Sequence, residues 1–261
     1  MSEKTLEFEH YLAEFRKAKY FAAIKAGGGS LNSDLAKALA TLHGLDLLPI
    51  VVHGGGKQID KALKEKGIPT RKIDGLRVTD KETLDTAVST LQTVNEDFVS
   101  AVNRTRYCAQ GLNGIFYVDG TDPDYGYVGD VVGMDREKID DCLKRRLIPI
   151  ISSYGIDPER QCSNPNADSG FRYLVSEFKP DKVLFLTSIG GVYRDEEFIS
   201  EMKREELDEF IESHFVNGSM IPKLKEARTL LDLGFDVQIT DSQYLLRELF
   251  SEKGCGTYLH K

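Results

Sequence analysis

The chain has 261 residues, enough for one large α/β domain or two small ones that bury a core without disulfide support. Its formal net charge of -8 argues against a general nucleic-acid binder. Its four cysteines lack metal or redox spacing, no apolar run reaches membrane-spanning length, and the N-terminus lacks a signal-peptide core, so we predict a cytoplasmic protein with reduced thiols.

Helices and short apolar strands are predicted to alternate along the chain. The first half contains helix 4–17, strand 20–25, helix 32–44, strand 47–52, helix 57–66, helix 80–104, strands near 105–110 and 115–118, a hairpin over 120–127, helix 135–145 and strand 147–152. The second half contains helix 167–178, strand 182–187, helices near 203–213 and 222–233, and strand 235–240. This alternation predicts an α/β fold with a mainly parallel sheet, whose ligands bind at the carboxyl ends of the strands.

Two glycine-rich stretches each follow a strand-like run and precede a helix. Gly27, Gly28 and Gly29 come after the first strand, and residues 54–56, also all glycine, come after the second. Glycines allow a close approach to backbone N–H groups, so the two turns predict an anion gripped from two sides. The alternative is a pair of ordinary tight turns. Neither stretch is a Walker A loop, because no Gly-Lys-Ser or Gly-Lys-Thr closes it.

Two lysines stand where a cation needs an anionic partner. Lys25 ends a predicted buried strand beside Gly27, where an unpaired ammonium is costly. Lys223 directly follows Pro222 at a predicted helix N-terminus, where the helix dipole disfavours positive charge. The alternative for both is a solvated side chain.

Two further charged residues suit an anionic substrate. Asp168 lies at the start of helix 167–178 and is either a helix-start residue or a carboxylate that holds the two lysines in place. Arg77 follows a short strand, and its planar guanidinium matches a carboxylate; the alternative is a surface arginine. His53 is the one histidine beside a glycine turn, and we predict a packed or capping role for it. Glycine turns, lysines and an arginine without a nucleophile favour phosphoryl transfer.

Five sequence blocks carry a resemblance to a known family. In chain order they are Lys25-Ala26-Gly27-Gly28, His53-Gly54-Gly55-Gly56, Gly75-Leu76-Arg77-Val78-Thr79, Asn164-Pro165-Asn166-Ala167-Asp168 and Asn217-Gly218-Ser219-Met220-Ile221-Pro222-Lys223. Over nearly all of residues 19–259 the chain resembles the amino-acid kinase family and, within it, the acetylglutamate kinases. The resemblance implies an open three-layer αβα sandwich with a mainly parallel central sheet. It also implies ATP-dependent phosphorylation of the side-chain carboxylate of N-acetyl-L-glutamate, a step of arginine biosynthesis.

The resemblance assigns roles to these residues. It implies that Lys25 and Lys223 neutralise the transferring phosphoryl group and that Asp168 orients them. It implies substrate binding by Gly27, Gly28, Gly54, Gly55, Arg77 and Asn164, and nucleotide binding by Thr187, Ser188, Gly191, Tyr193, Gly218, Met220 and Ile221. Mg²⁺ is expected to arrive with ATP and not on dedicated protein ligands.

The chain departs from the family pattern at the nucleotide turn. The family often has Leu-Thr-Asp where this chain has Leu186-Thr187-Ser188. With the N-terminal block, this turn resembles kinase domains that are fused to an acetyltransferase. Two alternatives therefore stay open: a catalytically silent domain that binds acetylglutamate or arginine and controls an acetyltransferase partner, and a kinase for another carboxylate.

The N-terminal helix bears on domain organisation and assembly. We expect residues 1–18 to form this helix and 19–261 the kinase domain, with an acetylglutamate lobe over 19–155 and a nucleotide lobe over 156–261. The helix has an apolar face that must pack on its own core, a neighbouring subunit or a partner. The resemblance implies a homodimer, or a tetramer or hexamer joined through the helix.

Overall fold

The computed structural model describes residues 3–73, 76–119, 124–157, 159, 161–213, 220–251 and 254–261. Its helices are α1 (Glu3–Phe15), α2 (Ser33–Gly44), α3 (Gly56–Glu65), α4 (Lys81–Val102), α5 (Arg136–Lys144), α6 (Ala167–Phe178), α7 (Arg204–Glu212), α8 (Met220–Asp232) and α9 (Leu245–Leu249), with short 3-10 turns at Gly28–Ser30 and Ser242–Tyr244. Within these described ranges, no helix is both long enough and apolar enough to cross a membrane.

The strands are mostly short. They are β1 (Ala22–Ala26), β2 (Ile50–His53), β3 (Lys72–Ile73), β4 (Leu76–Arg77), β5 (Ala109–Leu112), β6 (Phe116–Val118), β7 (Val131–Met134), β8 (Ile148–Ser152), β9 (Gly155–Ile156), β10 (Cys162–Ser163), β11 (Lys182–Leu186), β12 (Val192–Arg194), β13 (Glu197–Ile199), β14 (Glu201–Lys203), β15 (Val237–Thr240) and β16 (Thr257–His260).

A large central sheet has the order β14-β16-β15-β11-β1-β2-β8-β5. Its pairs from β15 to β5 are parallel, and β16 runs antiparallel to β15. The α/β fold with a mainly parallel sheet is therefore confirmed. Because β1 has β11 on one side and β2 on the other, its carboxyl end lies where the order of connections reverses. Ligands of open α/β sheets bind at such a point.

The alternation of side chains along β1 divides the core into two layers. Ala22, Ile24 and Ala26 pack with α2 and α4 on one face, whereas Ala23 packs with α6 and α8 on the other. Strand residues two apart share a face, so Lys25 is on the α6 and α8 side with Ala23. Lys25, the only charged residue of β1, must therefore find its partner on the α6 and α8 side of the sheet.

The predicted helices and longer strands are confirmed to within a few residues, and the predicted bounds of α6 agree at both ends. The short strand predicted before Arg77 is β3, and Arg77 itself ends β4. Strands of two or three residues such as β9, β10 and β13 were missed, because they are too short to show a period. Of the predicted hairpin over 120–127, residues 120–123 lie outside the described part. Tyr125 and Tyr127 pair with Thr79 through backbone hydrogen bonds of 2.8 Å each.

The N-terminal helix α1 packs on the chain's own core. Phe15 is buried against Phe21, with ring centroids 5.5 Å apart, and Phe8 contacts Phe250 at 4.7 Å. The structure therefore shows the helix packed on the core of its own chain, which is one of the three surfaces considered above. Leu6 nevertheless stays 52% exposed, so part of the apolar face remains open to solvent.

Candidate active site

A buried ion pair lies at the carboxyl end of β1. Lys25 Nζ contacts Asp168 Oδ1, and the two side chains are only 7% and 9% exposed. Asp168 is the second residue of α6, whose N-terminus is capped by the Asn166 side chain accepting from the Asp168 N–H at 3.1 Å. The cap and the helix dipole favour a carboxylate at this position. The structure therefore shows Asp168 both at a helix start and as the partner of a buried lysine.

Lys223 approaches the same pair from the first turn of α8. Its side chain is half-buried. Burial, followed by the like charges of Lys25 and Lys57, lowers the pKa of Lys223, while the Asp168 carboxylate acts in the opposite direction. The charges of Lys25 and Asp168 therefore both act on Lys223, so the three side chains lie within electrostatic range of one another. The alternative of an independently solvated Lys25 is wrong, because its ammonium is buried and paired.

The two glycine turns are in direct contact with each other and with α6. The Gly54 N–H donates to the Ala26 carbonyl at 3.2 Å, and Gln58 Nε2 donates to the Gly28 carbonyl at 2.9 Å. A Cβ on Gly28 would collide with the Gln58 side chain, and one on Gly54 would lie 3.4 Å from the Cβ of Ala167. Glycine at position 28 therefore lets the Gln58 amide approach the backbone of the first turn closely. Gln58 is a site residue that the sequence analysis missed.

His53 stabilises the second turn as a neutral, buried side chain. Asn95 Nδ2 donates to His53 Nε2 at 2.9 Å, so the ring proton lies on Nδ1, which donates to the Gly54 carbonyl at 3.1 Å. Burial lowers the pKa of His53 to about 4, and the hydrogen bond to Gly54 opposes this shift. The predicted packed role of His53 is confirmed.

A second charged cluster surrounds Arg77, at the end of β4. The guanidinium is buried and forms an ion pair of 2.6 Å with Asp60 of α3, whose side chain is 41% exposed. Thr79 Oγ1 donates to the Arg77 carbonyl at 2.9 Å and lies 3.4 Å from Asn164 Nδ2. The structure therefore links Arg77 to Asn164 through Thr79. The alternative that Arg77 is an exposed surface arginine is wrong.

Asp60 was missed by the sequence analysis although it is the counter-ion of Arg77. Burial raises its pKa, but hydrogen bonds and charges from Arg77 and Lys72 outweigh that effect and lower the pKa overall. Asp60 is therefore a carboxylate at neutral pH. Any substrate carboxylate that binds Arg77 must share or displace it.

The predicted nucleotide residues near β11 border a cavity of about 550 Å³. Ser188 and Tyr193 line it, together with Ile189, Gly190, Phe198, Asp241 and Tyr244. Thr187 accepts the N–H groups of residues 189 and 190 at its Oγ1, at 3.4 and 3.2 Å, and so shapes the turn. A Cβ on Gly191 would approach the Phe198 ring to 2.6 Å and Thr257 Oγ1 to 2.9 Å, so close packing favours glycine at this position.

The remaining nucleotide predictions fall on the start of α8. Met220 is buried in the core, and Ile221 packs partly against the same cluster. Gly218 lies outside the described residues. Met220 is thus a core side chain of α8.

A charged pair behind the lysines was also missed. Glu226 lies one helical turn after Lys223 on α8, and Arg172 lies one turn after Asp168 on α6; the two side chains are 3.4 Å apart. Burial raises the pKa of Glu226, and Arg172 opposes this effect. Helical spacing places Arg172 on the same face of α6 as Asp168 and Glu226 on the same face of α8 as Lys223, but it does not predict the contact between the two helices. In the part of the chain that the structure describes, no three His, Cys, Asp or Glu side chains cluster as metal ligands do.

Known proteins resemble this chain in sequence and in fold. A model of the amino acid kinase family matches residues 21–241. A curated protein of Xanthomonas campestris pv. campestris named acetylglutamate kinase is 35% identical over 98% of this chain, which spans only 63% of that relative's length. A protein of the same name from Petrotoga mobilis is 32% identical over 100% of this chain, and the match covers 93% of that protein's length.

Solved structures share the fold. The smu.665 protein of Streptococcus mutans superposes with a TM-score of 0.81 at 27% identity, covering 92% of this chain and 98% of that one. The family match extends from β1 to the residue after β15 and so includes the lysine–aspartate pair and both glycine turns. The chain therefore belongs to the amino acid kinase family.

Proposed function

We propose that this protein transfers the γ-phosphoryl group of ATP to the side-chain carboxylate of N-acetyl-L-glutamate and forms an acyl phosphate. The observation that carries the proposal is the buried Lys25–Asp168 pair at the end of β1, with Lys223 in electrostatic range and two glycine turns beside it. The names of the relatives, acetylglutamate kinase, support the choice of acceptor.

The residues are suited to a reaction that depends on positioning and charge neutralisation. Lys25 and Lys223 would meet the phosphoryl oxygens, and Asp168 would keep the two like charges in place. The backbone of Gly27, Gly28, Gly54 and Gly55 would cradle the phosphoryl group and the attacking carboxylate. No side chain needs to form a covalent intermediate in this scheme.

Substrate and nucleotide would bind on either side of this centre. Arg77 and Asn164, joined through Thr79, would hold the carboxylate and amide of the acceptor. Thr187, Ser188, Gly191 and Tyr193 would line the ATP site, with the start of α8 beside them. The cavity of about 550 Å³ is within the size range of small-molecule sites. Mg²⁺ would be bound through the ATP phosphates and would neutralise their charge.

We also propose a cytoplasmic location, a division into two lobes and a homodimeric assembly. The four free cysteines support a reducing compartment such as the cytoplasm. We place the acetylglutamate lobe at 19–155 and the nucleotide lobe at 156–261. A homodimer is expected, and light scattering of the full chain measures it; a monomer at micromolar concentration would contradict it.

Trapping the acyl phosphate tests the reaction. The protein is incubated with ATP, Mg²⁺ and N-acetyl-L-glutamate, and hydroxylamine converts an acyl phosphate to a coloured hydroxamate. N-acetyl-L-aspartate and free L-glutamate are the comparison acceptors, and we expect much faster turnover with N-acetyl-L-glutamate. The same preparation with Lys223→Met is the control and should lose activity by orders of magnitude. A folded wild-type protein that forms no hydroxamate would exclude the proposed reaction.

A further inference from the structure

A third lysine faces the space between the two glycine turns. Lys57 is the second residue of α3, directly after the second turn, and its side chain is exposed. Its Nζ lies 3.9 Å from the position that a Cβ on Gly29 would occupy. The ammonium therefore extends from the second glycine turn to the first.

The backbone of Lys57 is fixed relative to the first turn by its neighbour. Gln58 Nε2 donates to the Gly28 carbonyl at 2.9 Å, and a Cβ on Gly28 would displace the Gln58 amide. This hydrogen bond ties the first turn of α3 to Gly28. When an anion binds, the side chain of Lys57 must be ordered, but its backbone is already held.

Positive charge exceeds negative charge around this space. Lys25 is paired with Asp168, and the nearby carboxylate of Glu226 is engaged by Arg172. Burial lowers the pKa of Lys223 most, and the charges of Lys25 and, to a smaller extent, Lys57 lower it further. Lysines brought this close without a matching number of carboxylates repel one another unless an anion with several oxygens lies between them.

Lys57 also differs from the next lysine on its own helix. Lys61, one turn later, lies 3.8 Å from Glu65. Lys57 has no ion-pair partner among the described residues. Two exposed lysines on one helix therefore face different surroundings: Lys61 lies beside a carboxylate, and Lys57 lies over the glycine turns.

We propose that Lys57 is a third cationic catalytic residue, which contacts an oxygen of the transferred phosphoryl group together with Lys25 and Lys223. This inference rests on the proposed function and extends it. As the acceptor carboxylate oxygen forms its bond to phosphorus, the bond from phosphorus to the β–γ bridging oxygen breaks, and the electron pair stays on that oxygen in ADP. Lys57 would neutralise charge on the transferred group and takes no part in proton transfer.

Kinetics of matched variants test the proposal. We expect Lys57→Gln to lower kcat about tenfold or more while the KM for acetylglutamate changes less than threefold. Lys57→Arg should recover most of the loss, because it restores the charge. The control is Lys61→Gln on the same helix, which should leave both constants unchanged. A Lys57→Gln enzyme with kcat within twofold of wild type would overturn the proposal.

A binding measurement separates this inference from the proposed reaction. Inorganic tripolyphosphate is titrated into the full-length protein by calorimetry, without acceptor or turnover. Lys57→Gln should weaken its binding about fivefold to tenfold, as expected for the loss of one charged contact, and Lys61→Gln should not. If wild-type protein forms no hydroxamate from any acceptor but the tripolyphosphate difference holds, the proposed reaction fails and the assignment of Lys57 to a phosphate site stands. Equal binding by both variants would overturn that assignment.

Discussion

The Lys25 cluster and the Arg77 cluster use the same kinds of charged side chains on different scaffolds. Lys25 belongs to the strand between β11 and β2 of the central sheet, and its partner Asp168 begins a twelve-residue helix. Arg77 belongs to the two-stranded β3–β4 sheet, and its partner Asp60 is 41% exposed. The first pair is enclosed by regular elements, whereas the second opens to solvent on one side.

This difference indicates a division of labour. Breaking a buried ion pair leaves an uncompensated charge and is costly, so the Lys25–Asp168 geometry is expected to persist through the reaction. The Arg77–Asp60 pair is buried only on the arginine side, so a carboxylate that arrives from solvent can replace Asp60 without leaving the guanidinium unpaired. Rigid charges are suited to the phosphoryl group, and an exchangeable arginine is suited to a substrate carboxylate. Three changes test this comparison and one tests the glycine turn beside the Lys25 cluster, from the largest expected effect to the smallest.

Removing the carboxylate of the enclosed pair should have the largest effect. Asp168→Asn leaves Lys25 buried without its counter-charge and allows it to repel Lys223. We expect kcat to fall by about 100-fold or more and unfolding stability to drop by about 3 kcal/mol, with acetylglutamate binding changed little. Steady-state kinetics, calorimetry and denaturant unfolding measure the three quantities. The control is Asp85→Asn, which breaks the exposed pair with Lys81; near-wild-type turnover of Asp168→Asn would remove Asp168 from the site.

Acid should weaken the support of the second glycine turn. The folded-state pKa of His53 is lowered from 6.5 to about 4, so the unfolded chain binds the proton more readily. The stabilisation is complete above about pH 6.5 and is lost as the pH falls toward 4, in total about 3 kcal/mol. Denaturant unfolding from pH 7 to 4 measures this loss, and His53→Gln should reduce it. The exposed His10→Gln is the control; parallel curves for wild type and His53→Gln would contradict the assignment.

Changing the arginine of the open cluster should act through substrate affinity. Lysine keeps the charge of Arg77 but lacks the planar pair of donors that matches a carboxylate. We expect Arg77→Lys to raise the KM for acetylglutamate about tenfold while kcat falls less than threefold. An unchanged KM would show that Arg77 does not bind the acceptor. A loss of kcat as large as that of Asp168→Asn would show that the two clusters are not separate in function.

Removing the charge of Asp60, the counter-ion of Arg77, should have the smallest effect. Asp60→Asn removes the carboxylate with which the substrate competes for the guanidinium. We expect the KM for acetylglutamate to fall about threefold, because the substrate carboxylate then meets no competing carboxylate at Arg77, with kcat unchanged. Initial-rate kinetics at constant ionic strength measure the shift. A rise in KM would mean that Asp60 orients Arg77 for the substrate and does not compete with it.

Much of this site was predictable because local patterns place the residues. A strand followed by glycines and a helix predicts an anion-binding turn, and it occurs twice here, after β1 and after β2. The two-residue period of β1 directs Lys25 to one face of the sheet. Asp168 at the start of α6 and Lys223 at the start of α8 follow from helix-end signals. The family resemblance supplied the roles of these residues, which the pattern alone left open.

Tertiary structure alone decided which of these residues meet. Gln58 contacts Gly28 across 30 positions of sequence, and Asn95 contacts His53 across 42. The pairing of Arg77 with Asp60 and the course of Lys57 over Gly29 likewise depend on how α3 packs, which no local period reports. Sequence periodicity determines which face of an element a side chain occupies. The distance between two such faces is set by core packing, in which β1, α6 and α8 share one apolar cluster.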